Sequence, residues 1–246
     1  MLEIKDLSVE INNKPVLKDI NMSIPDGETH ILFGPNGSGK TSLLMTIMGY
    51  PAFKITSGGI FYNGKPVNDM KIDERSKNGF GMFFQRPPTI KGIKLKELAE
   101  IIKKNSGTQL DLKTAASALN LEKLLDRDIN QGLSGGEIKR SEFLQLYAQN
   151  PDFVMLDEPE SGVDVENLNL LGNKIKMLLG RGLEKDKRKK SALIITHTGH
   201  ILNYVDADLG HTIIDGEIRC THKPEMLFKH IQKHGFKECG ICGGKK

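Results

Sequence analysis

The feature that most constrains this chain is the run Gly34-Pro35-Asn36-Gly37-Ser38-Gly39-Lys40-Thr41 and its setting. His30-Ile31-Leu32-Phe33 comes directly before it, a nearly unbroken apolar run of the kind found in strands buried on both faces. Leu43, Leu44, Ile47 and Met48 follow at helical spacing, with Gly49 as a stop. Strand, glycine loop and helix in that order form a phosphate cradle. The glycines permit positive φ and let backbone N–H groups approach phosphate oxygens. The new helix adds its positive dipole end. In this pattern Lys40 reaches the β- and γ-phosphates of a nucleotide, and the Thr41 hydroxyl is placed to hold Mg²⁺. Ser42 is counted with the nucleotide-binding segment.

A second buried-strand pattern, Phe153-Val154-Met155-Leu156, ends in Asp157-Glu158. Beside a phosphate loop, an Asp at a strand end is expected to hold Mg²⁺. The next carboxylate is then placed to orient or polarise an attacking water. Asp157 is the expected metal residue and Glu158 the expected catalytic one. The cofactors implied are ATP and Mg²⁺.

Elsewhere, Leu2–Ile11 and Val16–Ile24 alternate around Asn12-Asn13-Lys14 and predict an antiparallel β start. Ile60–Tyr62, Gly81–Phe84 and Leu193–Thr196 read as further strands, and 213–218 as a late hairpin. After Gln85 the composition changes. Pro87-Pro88 breaks the chain, and Leu95–Lys103, Lys113–Leu119 and Leu121–Leu125 look helical. Strand signals vanish until Phe153, so residues 86–150 are expected to be a helical sub-domain inserted in one domain spanning 1–246. With 246 residues, 38% hydrophobic and 27% charged, the chain has the composition of a globular protein with a substantial core. Its net charge of +4 is too mild to point to nucleic acid. No apolar stretch is long enough to cross a bilayer, and Met1-Leu2-Glu3-Ile4-Lys5 lacks a signal-peptide core. A cytoplasmic location without membrane insertion is therefore expected. The basic-rich run Arg181–Lys190 is read as a solvated loop, with contact to an anionic partner as the alternative.

Leu133-Ser134-Gly135-Gly136-Glu137 opens another helical segment. Alone it reads as a capping box, with Ser134 as N-cap and Glu137 three residues on. Together, the phosphate loop, Gln85, 133–137, Asp157-Glu158, Ser161-Gly162-Val163-Asp164 and His197 resemble the ATP-binding cassette (ABC) ATPases in order and spacing. The resemblance covers nearly the whole chain, and Leu-Ser-Gly-Gly-Glu is its most specific part. It implies an α/β P-loop NTPase of the ABC type, with a mixed β core, an antiparallel β sub-domain and an inserted helical sub-domain. It also implies ATP hydrolysis to ADP and phosphate. Gln85 then senses Mg²⁺ and couples the site to the helical sub-domain. Ser134, Gly135, Gly136 and Glu137 grip the ATP of a partner copy in a nucleotide-dependent homodimer. Asp164 is the D-loop residue and His197 the switch histidine on the γ-phosphate. Many cassettes stack adenine on an aromatic residue near the position of Ile11. None occurs here before Phe33, leaving aliphatic contact from Ile11 and Val16.

Several details are similar to the SufC group, the soluble cassettes of SUF iron–sulfur cluster assembly. The signature ends in Glu137 and continues Ile138-Lys139-Arg140, where importers usually carry glutamines. Thr198 follows His197 where transporters usually carry Asp. Glu28-Thr29-His30, Arg86–Ile93 and Glu160–Asp164 point the same way. The resemblance implies a SufB- or SufD-like scaffold as partner. The alternatives are the ATP-binding subunit of a membrane transporter and a cassette acting on DNA or ribosomes. In the tail, His230 and His234 share a helix face, and Cys239 and Cys242 follow. Two His and two Cys suit a tetrahedral metal; a frayed, flexible end over 235–246 is the other reading.

Overall fold

The computed structural model describes residues 1–236. The elements run β1 (Leu2–Ile11), β2 (Lys14–Ile24), β3 (Thr29–Phe33), α1 (Lys40–Met48), β4 (Lys54–Tyr62), β5 (Lys65–Pro66), α2 (Ile72–Lys77) and β6 (Phe80–Phe83). Then come β7 (Ile90–Lys94), α3 (Leu95–Ser106), α4 (Leu112–Ser117), β8 (Asp128–Ile129), α5 (Gly135–Gln149), β9 (Phe153–Asp157) and α6 (Val165–Leu178). The last elements are β10 (Ser191–Ile195), β11 (Leu209–Ile214), β12 (Glu217–His222) and α7 (Pro224–His234).

The central sheet has the order β12-β11-β3-β10-β9-β6. Every neighbouring pair in it is parallel except β11 with β12. Every residue of β3, β6, β9 and β10 is buried, which is why these strands read as unbroken apolar runs. Side chains alternate between two cores, as the strand period of two requires. Ile31, Phe33, Val154, Leu156, Ala192 and Ile194 face the core shared with α5 and α6. Leu32, Phe153, Met155, Leu193 and Ile195 face the other core, with Leu43, Leu44 and Ile47 of α1 and the second sheet. That second sheet, β2-β1-β4-β5, is the expected antiparallel start. β4 is longer than its apolar residues suggest, because Ser57-Gly58-Gly59 pairs with β1 across an irregular register. Gly58 is required there: at φ +69, a Cβ would lie 2.2 Å from the Asp6 carbonyl oxygen.

Two details of the 86–150 segment differ from expectation. It contains a small antiparallel ribbon, β7 with β8. β7 is mostly exposed and β8 has only two residues, so neither carries a core-facing alternation. Leu121–Leu125 forms a single 3₁₀ turn over Glu122–Leu124, not an α-helix. Asn120, at φ 51, breaks the chain just before it, and one turn is too short to propagate. Among the described residues no helix is long and apolar enough to cross a membrane.

Candidate nucleotide site

Four neighbouring strands, β3, β10, β9 and β6, deliver their carboxyl ends to one edge of the sheet. Beyond those ends lie the glycine loop, His197, Asp157-Glu158 and Gln85 respectively. Ligand sites in open parallel sheets form at this edge.

In the loop, Gly37 and Gly39 take φ of +78 and +105. A Cβ on Gly34 would fall 2.4 Å from the Ile213 oxygen and 2.6 Å from Ser38 Oγ. Lys40 is buried, and its ammonium donates to the carbonyls of Gly34 (2.9 Å) and Pro35 (2.8 Å). Burial holds the Lys40 pKa below its ordinary value, with Glu158 and Asp157 pulling the other way. The Ser38 hydroxyl is buried without a partner. Val16 reaches the loop through its backbone: its oxygen lies 3.0 Å from where a Gly39 Cβ would be.

The Thr41 hydroxyl donates to Asp157 Oδ2 at 2.9 Å. Asp157 Oδ1 is buried and has no protein partner, an expensive state for a carboxylate unless a cation completes it. Burial pushes the Asp157 pKa up, against the Thr41 hydrogen bond. An orphaned carboxylate oxygen beside a hydroxyl is a hard-oxygen donor set, which fits Mg²⁺.

Glu158 sits at φ 47, an unusual backbone for a residue with a side chain. Its carboxylate is held from both sides. Gln85 Nε2 donates to Oε2 at 2.5 Å, and His197 Nε2 lies 2.6 Å from Oε1. Burial and the nearby Lys40 hold the His197 pKa down, against the pull of Glu158, and so favour the neutral ring. The structure thus gathers Lys40, Thr41, Gln85, Asp157, Glu158 and His197 at one edge, where Thr41 pairs with Asp157 and Glu158 is held by Gln85 and His197.

The signature, Leu133 to Glu137, makes its own set of hydrogen bonds. Ser134 caps α5: its hydroxyl accepts from Glu137 N at 3.3 Å, and its own N–H donates to Glu137 Oε2 at 2.7 Å. A Cβ on Gly135 would lie 2.6 Å from the Gly162 oxygen, and one on Gly136 would lie 2.7 Å from the Asn167 amide. The capping box and the signature are therefore the same residues, packed on the segment that leads to Asp164. Asp164 caps α6, accepting from Asn167 N at 2.8 Å.

With this geometry in view, the ABC transporter family model matches residues 17–161. The chain belongs to that family of ATP-binding cassettes. It is 36% identical over 249 residues to a probable ABC transporter ATP-binding protein of Streptococcus pyogenes serotype M3, covering 96% of this chain and 93% of the relative. It is 32% identical to the probable ATP-dependent transporter ycf16 of Cyanophora paradoxa, covering 96% and 93%. Among solved structures, a nucleotide-free ATP-binding cassette from an ABC transporter superposes with a TM-score of 0.77 at 24% identity, covering 100% of this chain and 99% of that one. The cassette is an ATPase that binds ATP and serves as the ATP-binding subunit of an ABC system.

Sequence reasoning missed a clamp on Gln85. On α5, Lys139 donates to the carbonyls of Phe84 (2.8 Å) and Gln85 (2.9 Å), and Glu142 accepts from Phe84 N–H. Both side chains are buried, and burial favours their neutral forms. A Lys and a Glu three apart on a helix read as a surface pair, so no sequence signal marks them. The basic run is largely tied down: Arg181 pairs with Asp208 at 2.7 Å, Arg188 with Asp208 at 3.6 Å and Lys185 with Glu28 at 2.7 Å. In α7, the His230 and His234 rings stack at 4.7 Å. Cys239 and Cys242 lie outside the described residues.

Proposed function

We propose that this cassette powers a SufB/SufD-like scaffold in iron–sulfur cluster assembly. The observation that carries the reading is the continuation of the signature through Glu137 and Lys139 in place of the usual glutamines. Glu137 closes the α5 cap and Lys139 grips the Gln85 loop, so both departures have structural work. A cavity of about 830 Å³ between the sheet edge and the helical segment, lined by Phe84, Pro87, Ile102 and Glu142, suits a scaffold helix. A partner there would press directly on the loop carrying Gln85.

In this reading, Lys40 and the loop amides neutralise charge developing on the phosphates. Thr41 and Asp157, with Gln85, would hold Mg²⁺, which would withdraw charge from the phosphates. Glu158 orients water, and the neutral His197 ring donates toward the γ-phosphate once ATP draws it from the carboxylate. Ser134 to Glu137 serve the ATP of a second copy, so ATP closes a homodimer and reshapes the scaffold.

A membrane-transporter subunit is the second reading, favoured by the names of the relatives. Co-purification of the native protein from its own lysate separates the two. Recovery with a soluble β-helical scaffold is expected. Recovery only with membranes and a multi-spanning permease would overturn the scaffold reading.

A further inference from the structure

We infer that Glu160 is a positioning residue for His197, tying the segment 161–164 to the histidine loop. Glu160 is 7% exposed, two residues beyond Glu158 and separated from it by Pro159. Its Oε1 accepts from the hydroxyls of Thr196 and Thr198, the two neighbours of His197, the second at 3.2 Å. Each hydroxyl has one proton to give and lone pairs to receive. Thr196 Oγ1 receives Gly199 N–H at 2.9 Å, and Thr198 Oγ1 receives His200 N–H at 3.3 Å. The backbone on both sides of His197 therefore hangs on one carboxylate oxygen. Underneath, Phe228 of α7 closes the loop: Gly199 is at φ +67, and a Cβ there would be 2.5 Å from the Phe228 ring. The Glu160 carbonyl in turn accepts Val163 N–H at 3.3 Å, in the turn that leads to Asp164. Residues 161–164 and the His197 loop are thus joined through Glu160, by its carbonyl on one side and its carboxylate on the other.

The inference rests on His197 acting on ATP, and the test separates the two. ATP turnover and ATP affinity of the full chain are measured for Glu160→Ala, Glu160→Gln, His197→Ala and the double variant Glu160→Ala/His197→Ala. Loss of the anchor lets the ring wander by a fraction of an ångström, so Glu160→Ala is expected to lower kcat about tenfold, short of the ~100-fold of a full 1 Å misplacement. ATP affinity is expected to change less than about twofold. Glu160→Gln keeps an oxygen that accepts both hydroxyls and is expected to recover most of the loss. On the His197→Ala background, Glu160→Ala should cost nothing more, since its effect passes through the ring. An equal loss on both backgrounds overturns the role of Glu160 alone. Wild-type turnover in His197→Ala overturns the role of His197 itself. Should Glu160→Ala fail to fold, Thr198→Val, at an exposed position, removes one of the two hydroxyl contacts and must show the same dependence on His197.

Discussion

Arg75 makes the sharpest stability prediction. It is 1% exposed and donates to four carbonyls: Met70 (3.1 Å), Thr46 (2.9 Å), Ile47 (2.7 Å) and Asn68 (3.0 Å). Two of these belong to the last turn of α1, whose own sequence has no basic residue there. Arg75 thus finishes the helix that begins at the phosphate loop, complementing its negative end. Arg75→Met keeps much of the volume and strips the donors. Two buried carbonyls, Thr46 and Ile47, at ~2 kcal/mol each and two part-buried ones at ~1 kcal/mol each give ~6 kcal/mol. Against this, burial pulls the guanidinium from its ordinary 12.5 down to about 10. Met is spared that cost, about 3 kcal/mol at ~1.4 kcal/mol per pH unit. The net loss is about 3 kcal/mol, or roughly 6–12 °C in Tm for a chain of this size. Arg75→Lys should recover less than half, because one ammonium cannot span four carbonyls as a planar fork does. Thermal and urea melts read both. A drop below about 4 °C for Arg75→Met would show that Arg75 does not hold the end of α1.

Two other predictions concern the partner copy and acidity. A mixture of Ser134→Arg and Lys40→Ala chains leaves one interface where neither change lies; it should retain some ATP-driven dimer by sedimentation, while neither variant alone does, and absence of mixed dimer would count against signature-to-loop closure. His211 is buried against His30 at 2.9 Å, and burial pushes its pKa down to about 3, with His30 also lowered. Both rings are neutral in the fold and protonate below about pH 6.5 when unfolded. Stability is therefore fully present above that pH and falls as pH drops below it, toward about 3 for His211, by up to ~1.4 kcal/mol per pH unit for that ring. Melts from pH 7.5 to 5 should show a shallower slope for His211→Asn than for wild type; equal slopes would refute the assignment.

The residues gathered at the sheet edge were legible because each group is local in the sequence. The glycine loop and Asp157-Glu158 are contiguous residues at the ends of buried strands, and 133–137 is a contiguous helix cap. The strands that aim them were legible because double burial leaves continuous apolar runs. What escaped was chemistry that ends on backbone. Arg75, in Ile-Asp-Glu-Arg-Ser-Lys, looks like part of a solvated helix, since carbonyl partners leave no trace in a sequence. Lys139, Glu142 and Glu160 are buried side chains held by backbone groups or by hydroxyls far along the chain. The β7–β8 ribbon escaped because an exposed two-stranded pairing needs no apolar alternation.

The most direct test of the account is ATP turnover by Glu158→Gln. The Glu158 carboxylate, held between Gln85 and His197, is the group expected to orient the attacking water. The variant should bind ATP as wild type does, and its turnover should fall by about 100-fold or more. Turnover within twofold of wild type, with ATP still bound, would contradict it.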